Sequence, residues 1–187
     1  IKGLVDVPSI YLLHGDLKES EMVELYNHSK VKAMISFTKG EGYGRPLAEF
    51  ATTGKPILVS KWSGHVDFLP EENTIFLDGQ LTDVHNSAAD KFLLKESKWF
   101  TVNYSDAANK IYKVFNEYNT YLSKSAGLRT NILNNFTMKK MTEELGKIMD
   151  KYVGTIAIQK PFQLPKLNKQ NPIPEQPKLK LPKLNKL

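Results

Sequence analysis

Apolar positions follow two alternating rhythms along the first part of the chain. Ile10–Leu13 is a short apolar run that reads as a strand, and Met22, Leu25 and Tyr26 then fall at the i, i+3, i+4 spacing of one helix face, with Asp16 and Glu19 as capping candidates. Val31–Phe37, which contains KAMISF, predicts the next strand. Thr38–Arg45 is a glycine-rich loop, and Pro46 suits the first turn of a short helix. Gly54 and then Pro56 stop that helix ahead of a strand at Pro56–Ser60. The order is β-α-β-α-β, and strands this apolar belong to a parallel sheet covered by helices on both faces. The fold class is α/β.

Past Gly79 the rhythm changes. Asp106–Leu122, Lys124–Asn134 and Met138–Tyr152 all read as helices, with no comparable strand between Gly79 and the chain's end. Ile111, Val114, Phe115 and Tyr118, and likewise Leu145, Ile148, Met149 and Tyr152, follow helical spacing, so they are expected in the core.

Composition narrows the class of protein. A chain of 187 residues with 41% hydrophobic side chains has room for one domain and an appendage. The absence of cysteine excludes disulfide scaffolds, Cys-ligated zinc, iron–sulfur clusters and thiol catalysis, and makes a reducing, cytoplasmic setting the expectation. No apolar run approaches the roughly 20 residues of a membrane-spanning helix, and the opening residues lack the pattern of a signal peptide.

The net charge of +6 sits in one place. Residues 160–187 hold seven lysines and one acid, which leaves 19 basic and 19 acidic side chains in residues 1–159. A balanced body gives no electrostatic reason to expect a nucleic acid, and Phe162 is the tail's one aromatic, so base-stacking platforms are missing there too. Six of the ten prolines and none of the glycines lie in this segment, which repeats LPKLNK at 164–169 and 181–186. Two regions are therefore expected: a folded domain at residues 1–158 and an extended basic Pro/Leu/Lys tail at 159–187. The tail is either a solvated tether or a peptide that docks on a protein or an anionic surface.

The chemistry concentrates in Gly40-Glu41-Gly42-Tyr43-Gly44-Arg45-Pro46-Leu47-Ala48-Glu49. Glycines in a loop after a parallel strand let backbone N–H groups approach a ligand, and a helix starting at Pro46 directs its positive end to the same place. Leu47, Phe50 and Ala51 share one helical face, with Glu49 nearly opposite and available to a ligand. The dinucleotide fingerprint fails at Arg45 and the Walker loop fails at Pro56, so the segment reads either as a phosphate site or as a tight turn beside a solvated glutamate. His14-x-Asp16 and His65-x-Asp67 each offer two ligands, too few for a metal site. His65 reads instead as a contact to substrate or to its own loop.

GEGYGRPLAEFATTGKPILVS, residues 40–60, closely resembles the Glu-x7-Glu signature of retaining glycosyltransferases of the GT-B fold, family 4 (group 1), with Glu41 and Glu49 at the two motif positions. Trp62–Leu69, WSGHVDFL, is similar to the next loop of that family, and FTMKKMTEELGKIMDKY at 136–152 is similar to its closing helix, so the likeness spans roughly Ile10–Tyr152. It implies a partial Rossmann-like sheet flanked by helices, closed by helices at its C-terminal end. It also implies a nucleotide-sugar donor held without a cofactor or metal, and an acceptor that the sequence does not identify. Glu41 would be catalytic, beside the donor hexose. The amides of Gly42, Tyr43 and Gly44 would hold sugar and diphosphate oxygens, with Arg45 adding charge, and Glu49 would accept from the ribose hydroxyls. Lys39 and His65 would be further substrate-loop contacts. The family's basic pair for the leaving diphosphate, and its whole N-terminal acceptor domain, have no counterpart here. The chain is therefore expected to be the donor-binding part of a longer enzyme, with little turnover alone. The competing reading is a non-catalytic module that binds through its tail.

Overall fold

A computed structural model of the chain describes residues 8–153. The expected boundary at residue 158 and the tail beyond it lie outside the described residues. The backbone packing divides the chain into Ile1–Gly146 and Lys147–Leu187, and of the second unit only 147–153 are described.

The central element is β2 (Ile57–Ser60), whose four residues are all buried. It pairs in parallel with β1 (Met34–Ser36) on one side, Met34 opposite Ile57, and with β3 (Ile75–Leu77) on the other, Leu58 opposite Ile75. Because strand side chains alternate, Ile57 and Val59 point to one face and Leu58 to the other. The first face packs against Leu47, Phe50 and Ala51 of α2 (Arg45–Ala51) and Leu128 and Ile132 of α4 (Tyr118–Asn135). The second packs against Val102 of β5 (Lys98–Val102) and Ala107 and Val114 of α3 (Tyr104–Asn116). Helices on both faces of a parallel sheet make this an α/β, Rossmann-like arrangement. Burying a side chain such as Phe50, Ile57 or Leu58 contributes about 1.5–3 kcal/mol.

The connections are set locally. Helix α1 (Glu19–Asn27) begins with the Glu21 carboxylate accepting the Lys18 backbone N–H at 2.7 Å, so Glu21 does the capping expected of Asp16 or Glu19. At its other end Lys55 Nζ donates to the carbonyls of Tyr26 and His28, at 2.7 and 3.0 Å. Burial and the nearby Lys32 hold the Lys55 ammonium below its ordinary pKa. Helix α2 ends as the sequence indicates, with Gly54 at φ 69° in the left-handed region that favours glycine.

Four expectations are corrected. Ile10–Leu13 is not a strand: among the described residues the sheet ends at β1, no ladder reaches this run, and its four side chains are 66–89% exposed. Strands do occur from Gly79 onward, namely the antiparallel hairpin of β4 (Gly79–Asp83) and β5, in which Leu81 opposes Phe100. The break between the two long helices falls at Glu117, not near Lys124. Val114 is buried and Ile111 and Tyr118 half-buried, but Phe115 is 80% exposed. Leu145, Ile148, Met149 and Tyr152 of α5 (Met138–Tyr152) are exposed as well, so helical periodicity there does not report burial. Among the described residues, no helix is long and apolar enough to cross a membrane.

Candidate functional site

The loop from Thr38 to Gly44 leaves the C-terminal end of β1 and enters α2, and so lies beyond the carboxyl ends of the parallel strands. It is braced from two directions. On one flank, the β5 backbone reaches it: Phe100 N–H donates to the Lys39 carbonyl at 3.1 Å, and Trp62 stacks on the Phe100 ring at 6.3 Å. On the other lies Ser63-Gly64-His65, which leads into a 3-10 turn (Gly64–Asp67). Glu41 N–H donates to Ser63 Oγ at 3.0 Å, and Ser63 Oγ in turn donates to the Glu41 carbonyl at 2.6 Å. Gly64 N–H reaches the same carbonyl at 3.0 Å. A Cβ on Gly64 would lie 2.1 Å from the Gly42 carbonyl oxygen, so the two loops touch backbone to backbone.

Glu41 is half-buried, and its Oε1 accepts from Thr38 Oγ1 at 3.2 Å. Ser60 Oγ donates to the Thr38 carbonyl at 2.9 Å, tying the end of β2 to the start of the loop. Gly42 and Tyr43 are exposed, and the Tyr43 ring leans on Phe68 at 4.7 Å. Gly44, the residue before α2, is buried at φ 90°, and a Cβ there would meet both His65 Cβ and Leu47 Cδ1 at 3.2 Å. Glycine at 44 is thus required by conformation and by packing. At 40 and 42 it is not: neither has positive φ, a Cβ on Gly40 meets nothing nearer than Ser63 Oγ at 4.0 Å, and one on Gly42 meets nothing within 4 Å. Among the described residues, the N–H groups of Gly42, Tyr43 and Gly44 donate no hydrogen bond.

Leu47, Phe50 and Ala51 of α2 are buried as their shared face requires. Glu49 lies off that face, half-exposed, and lines a groove of about 410 Å³ with Tyr26, Asn27 and Arg45. Arg45 Nε holds Glu49 Oε1 at 2.6 Å, and this bond and charge keep the guanidinium above its ordinary pKa. Burial raises the Tyr26 phenol, and the Glu49 charge adds to the effect. With seven residues, α2 has a weak dipole, so the loop amides are the main donors of the site.

The remaining sequence candidates separate. Lys39 lies with Nζ 4.1 Å from the centre of the Trp99 ring. His65 is fully buried, and its Nε2 must donate to the Ser60 carbonyl at 2.7 Å because that oxygen only accepts, while Nδ1 is buried without a partner. His65 therefore contacts its own loop. Its neighbour Asp67 is exposed, and among the described residues no group of three metal-ligating side chains occurs. Thr38, Ser60 and Ser63, which set the loop's shape, escape sequence reasoning. The signal was a Ser-Gly pair in the loop after an apolar strand, at the same sheet edge as Gly40–Gly44.

Comparison with family models and with curated proteins gives no match. Among solved structures, the crystal structure of a glycosyltransferase from Rickettsia africae ESF-5 is similar, with a TM-score of 0.53 and 20% sequence identity over 73% of this chain. The alignment covers 31% of that protein, so this chain spans less than a third of its length. The likeness is one of fold.

Proposed function

We propose that the chain is the donor-binding part of a retaining glycosyltransferase, which moves a hexose from a nucleotide-sugar to an acceptor. The observation that carries this reading is the run Gly42-Tyr43-Gly44, whose three consecutive N–H groups have no partner among the described residues, beside glycines 40 and 42 that neither φ nor packing explains. Glycine without a structural reason leaves space for something that is not protein, and unpartnered amides suit an anion. A fold shared with a glycosyltransferase supports the same conclusion.

In this reading the diphosphate lies against the amides of Gly42–Gly44, Glu41 stands beside the hexose, and Glu49 in its groove takes the two ribose hydroxyls, which one carboxylate can accept together. Arg45 holds one oxygen of Glu49 and so orients it for the ribose. Glycosyl transfer builds positive charge at the anomeric carbon and negative charge on the departing diphosphate. Fixed amides therefore stabilise the transition state more than the ground state. No metal or cofactor has a part in the proposal.

A nucleoside diphosphate should raise the melting temperature of the chain. At 100 times Kd the stabilisation is about 2.7 kcal/mol, or roughly 5–10 °C for a chain of this size. Glu49→Ala should remove most of the shift. Absence of any shift with UDP, GDP and ADP at millimolar concentration would count against the reading.

A further inference from the structure

Among the described residues, Ser63 is the one non-glycine residue with positive φ, at 83°. An L-residue held there carries a steric cost that glycine would not. A glycine stands at the next position, so the chain has no general difficulty placing one in this loop. What serine adds is its hydroxyl. Oγ accepts from Glu41 N–H at 3.0 Å and donates to the Glu41 carbonyl at 2.6 Å, so one side chain fixes the backbone on both sides of the Glu41 Cα. It acts across 22 residues of sequence, on a loop that two glycines would otherwise leave conformationally loose. The Glu41 carboxylate is held separately, by Thr38 Oγ1. Backbone and side chain of Glu41 are therefore anchored independently, immediately ahead of the three unpartnered amides.

We infer that Ser63 is a positioning residue, a latch that keeps Glu41 and the Gly42–Gly44 amides in their ligand-ready arrangement, and that its strained backbone is retained for this purpose. The inference rests on the donor-site reading above. It makes Ser63 act on the nucleotide-sugar through Glu41, without touching it. Preorganising a loop lowers the ordering cost of binding, so loss of the latch should weaken affinity even where folding is unharmed.

The test compares Ser63→Gly with Ser63→Ala in the full 187-residue chain. Ser63→Gly gives up the two bonds but also the strain, so its melting temperature should stay within a few degrees of the parent. Ser63→Ala gives up the bonds and keeps the strain, so it should melt lower. Both should bind nucleoside diphosphate at least about tenfold more weakly by calorimetry. In both, exchange of the Gly64 amide should quicken about tenfold, and the 15N order parameters of Gly42 and Tyr43 should fall. A purely structural serine would make affinity follow melting temperature, so a Ser63→Gly chain that binds like the parent overturns the inference. If the parent chain binds none of UDP, GDP or ADP, the donor-site reading fails and the ligand half of the inference fails with it. The latch itself is then judged on exchange and order parameters alone: unchanged values in Ser63→Gly overturn it, and quickened exchange supports it.

Discussion

Gly64→Ala inserts one methyl group at the tightest point between the two loops. The added Cβ would lie 2.1 Å from the Gly42 carbonyl oxygen, 2.8 Å from the Gly42 carbonyl carbon and 3.0 Å from the Glu41 oxygen. A relaxed carbon–oxygen contact is about 3.3–3.6 Å, so the loops must separate by roughly an ångström, and the atoms in the way are backbone, which has no rotamer to escape into. Gly64 does not have positive φ, so alanine is tolerated by the local conformation and the whole effect is steric. Separation strains or breaks three hydrogen bonds, from Gly64 N–H, Glu41 N–H and Ser63 Oγ. At about 0.5–1.5 kcal/mol each the cost is roughly 3 kcal/mol, or about 6–12 °C in melting temperature. Calorimetric melting reads the stability, and titration with a nucleoside diphosphate reads the site, where a displacement of an ångström should weaken binding by an order of magnitude or more. A Gly64→Ala chain that melts within about 1 °C of the parent would refute the close packing of the loops.

Two further outcomes test the frame. Lys110 Nζ bonds Asp106 Oδ2 at 2.8 Å, Asp78 Oδ2 at 3.1 Å and the Phe76 carbonyl at 2.8 Å, while Asp106 Oδ2 also accepts Asp78 N–H at 3.0 Å. Burial acts to raise the Asp106 carboxyl, but the bonds from Lys110 and Asp78 outweigh it and hold it below the usual range. Its contribution is therefore present above the unfolded value of about 3.9 and is lost as pH falls through the lower folded value. Asp106→Asn should flatten the acid limb of a stability–pH profile, and an unchanged limb would contradict the assignment. Phe50→Ala, which empties a fully buried ring site between α2 and Tyr26, should cost about 3–5 kcal/mol in chemical denaturation, and a loss below 1 kcal/mol would remove Phe50 from the core.

The sequence was most legible where local rules and packing agree. Strand β2 is three apolar residues and a serine bounded by Pro56 and Lys61, and α2 carries Pro46 at its start and Gly54 past its end, so boundaries and buried face both follow from the residues. The loop between β1 and α2 was legible as a loop, with Glu49 off the buried face. The hairpin was missed because β4, GQLTD, has one apolar residue, and its pairing with KWFTV is a tertiary fact. Ile10–Leu13 has the composition of a strand, but a strand is defined by its partner. Phe115 obeys helical spacing on α3, yet lies at the rim of the face that Val114 buries. Ser63 was beyond local reading for a related reason: it takes its role from both peptide groups of Glu41, 22 residues earlier in the chain.

The central claim is that the space in front of the Gly42–Gly44 amides belongs to a ligand. Gly42→Ala fills that space without meeting any protein atom within 4 Å and without forcing φ. In such a position alanine stabilises a fold by about 0.4–1 kcal/mol through the unfolded state. Melting curves of this variant with and without nucleoside diphosphate therefore separate the two roles of the glycine. The account expects an unliganded melting temperature equal to or above the parent's, with the ligand-induced shift lost. A variant that keeps the full ligand shift, or that unfolds on its own account, would contradict it.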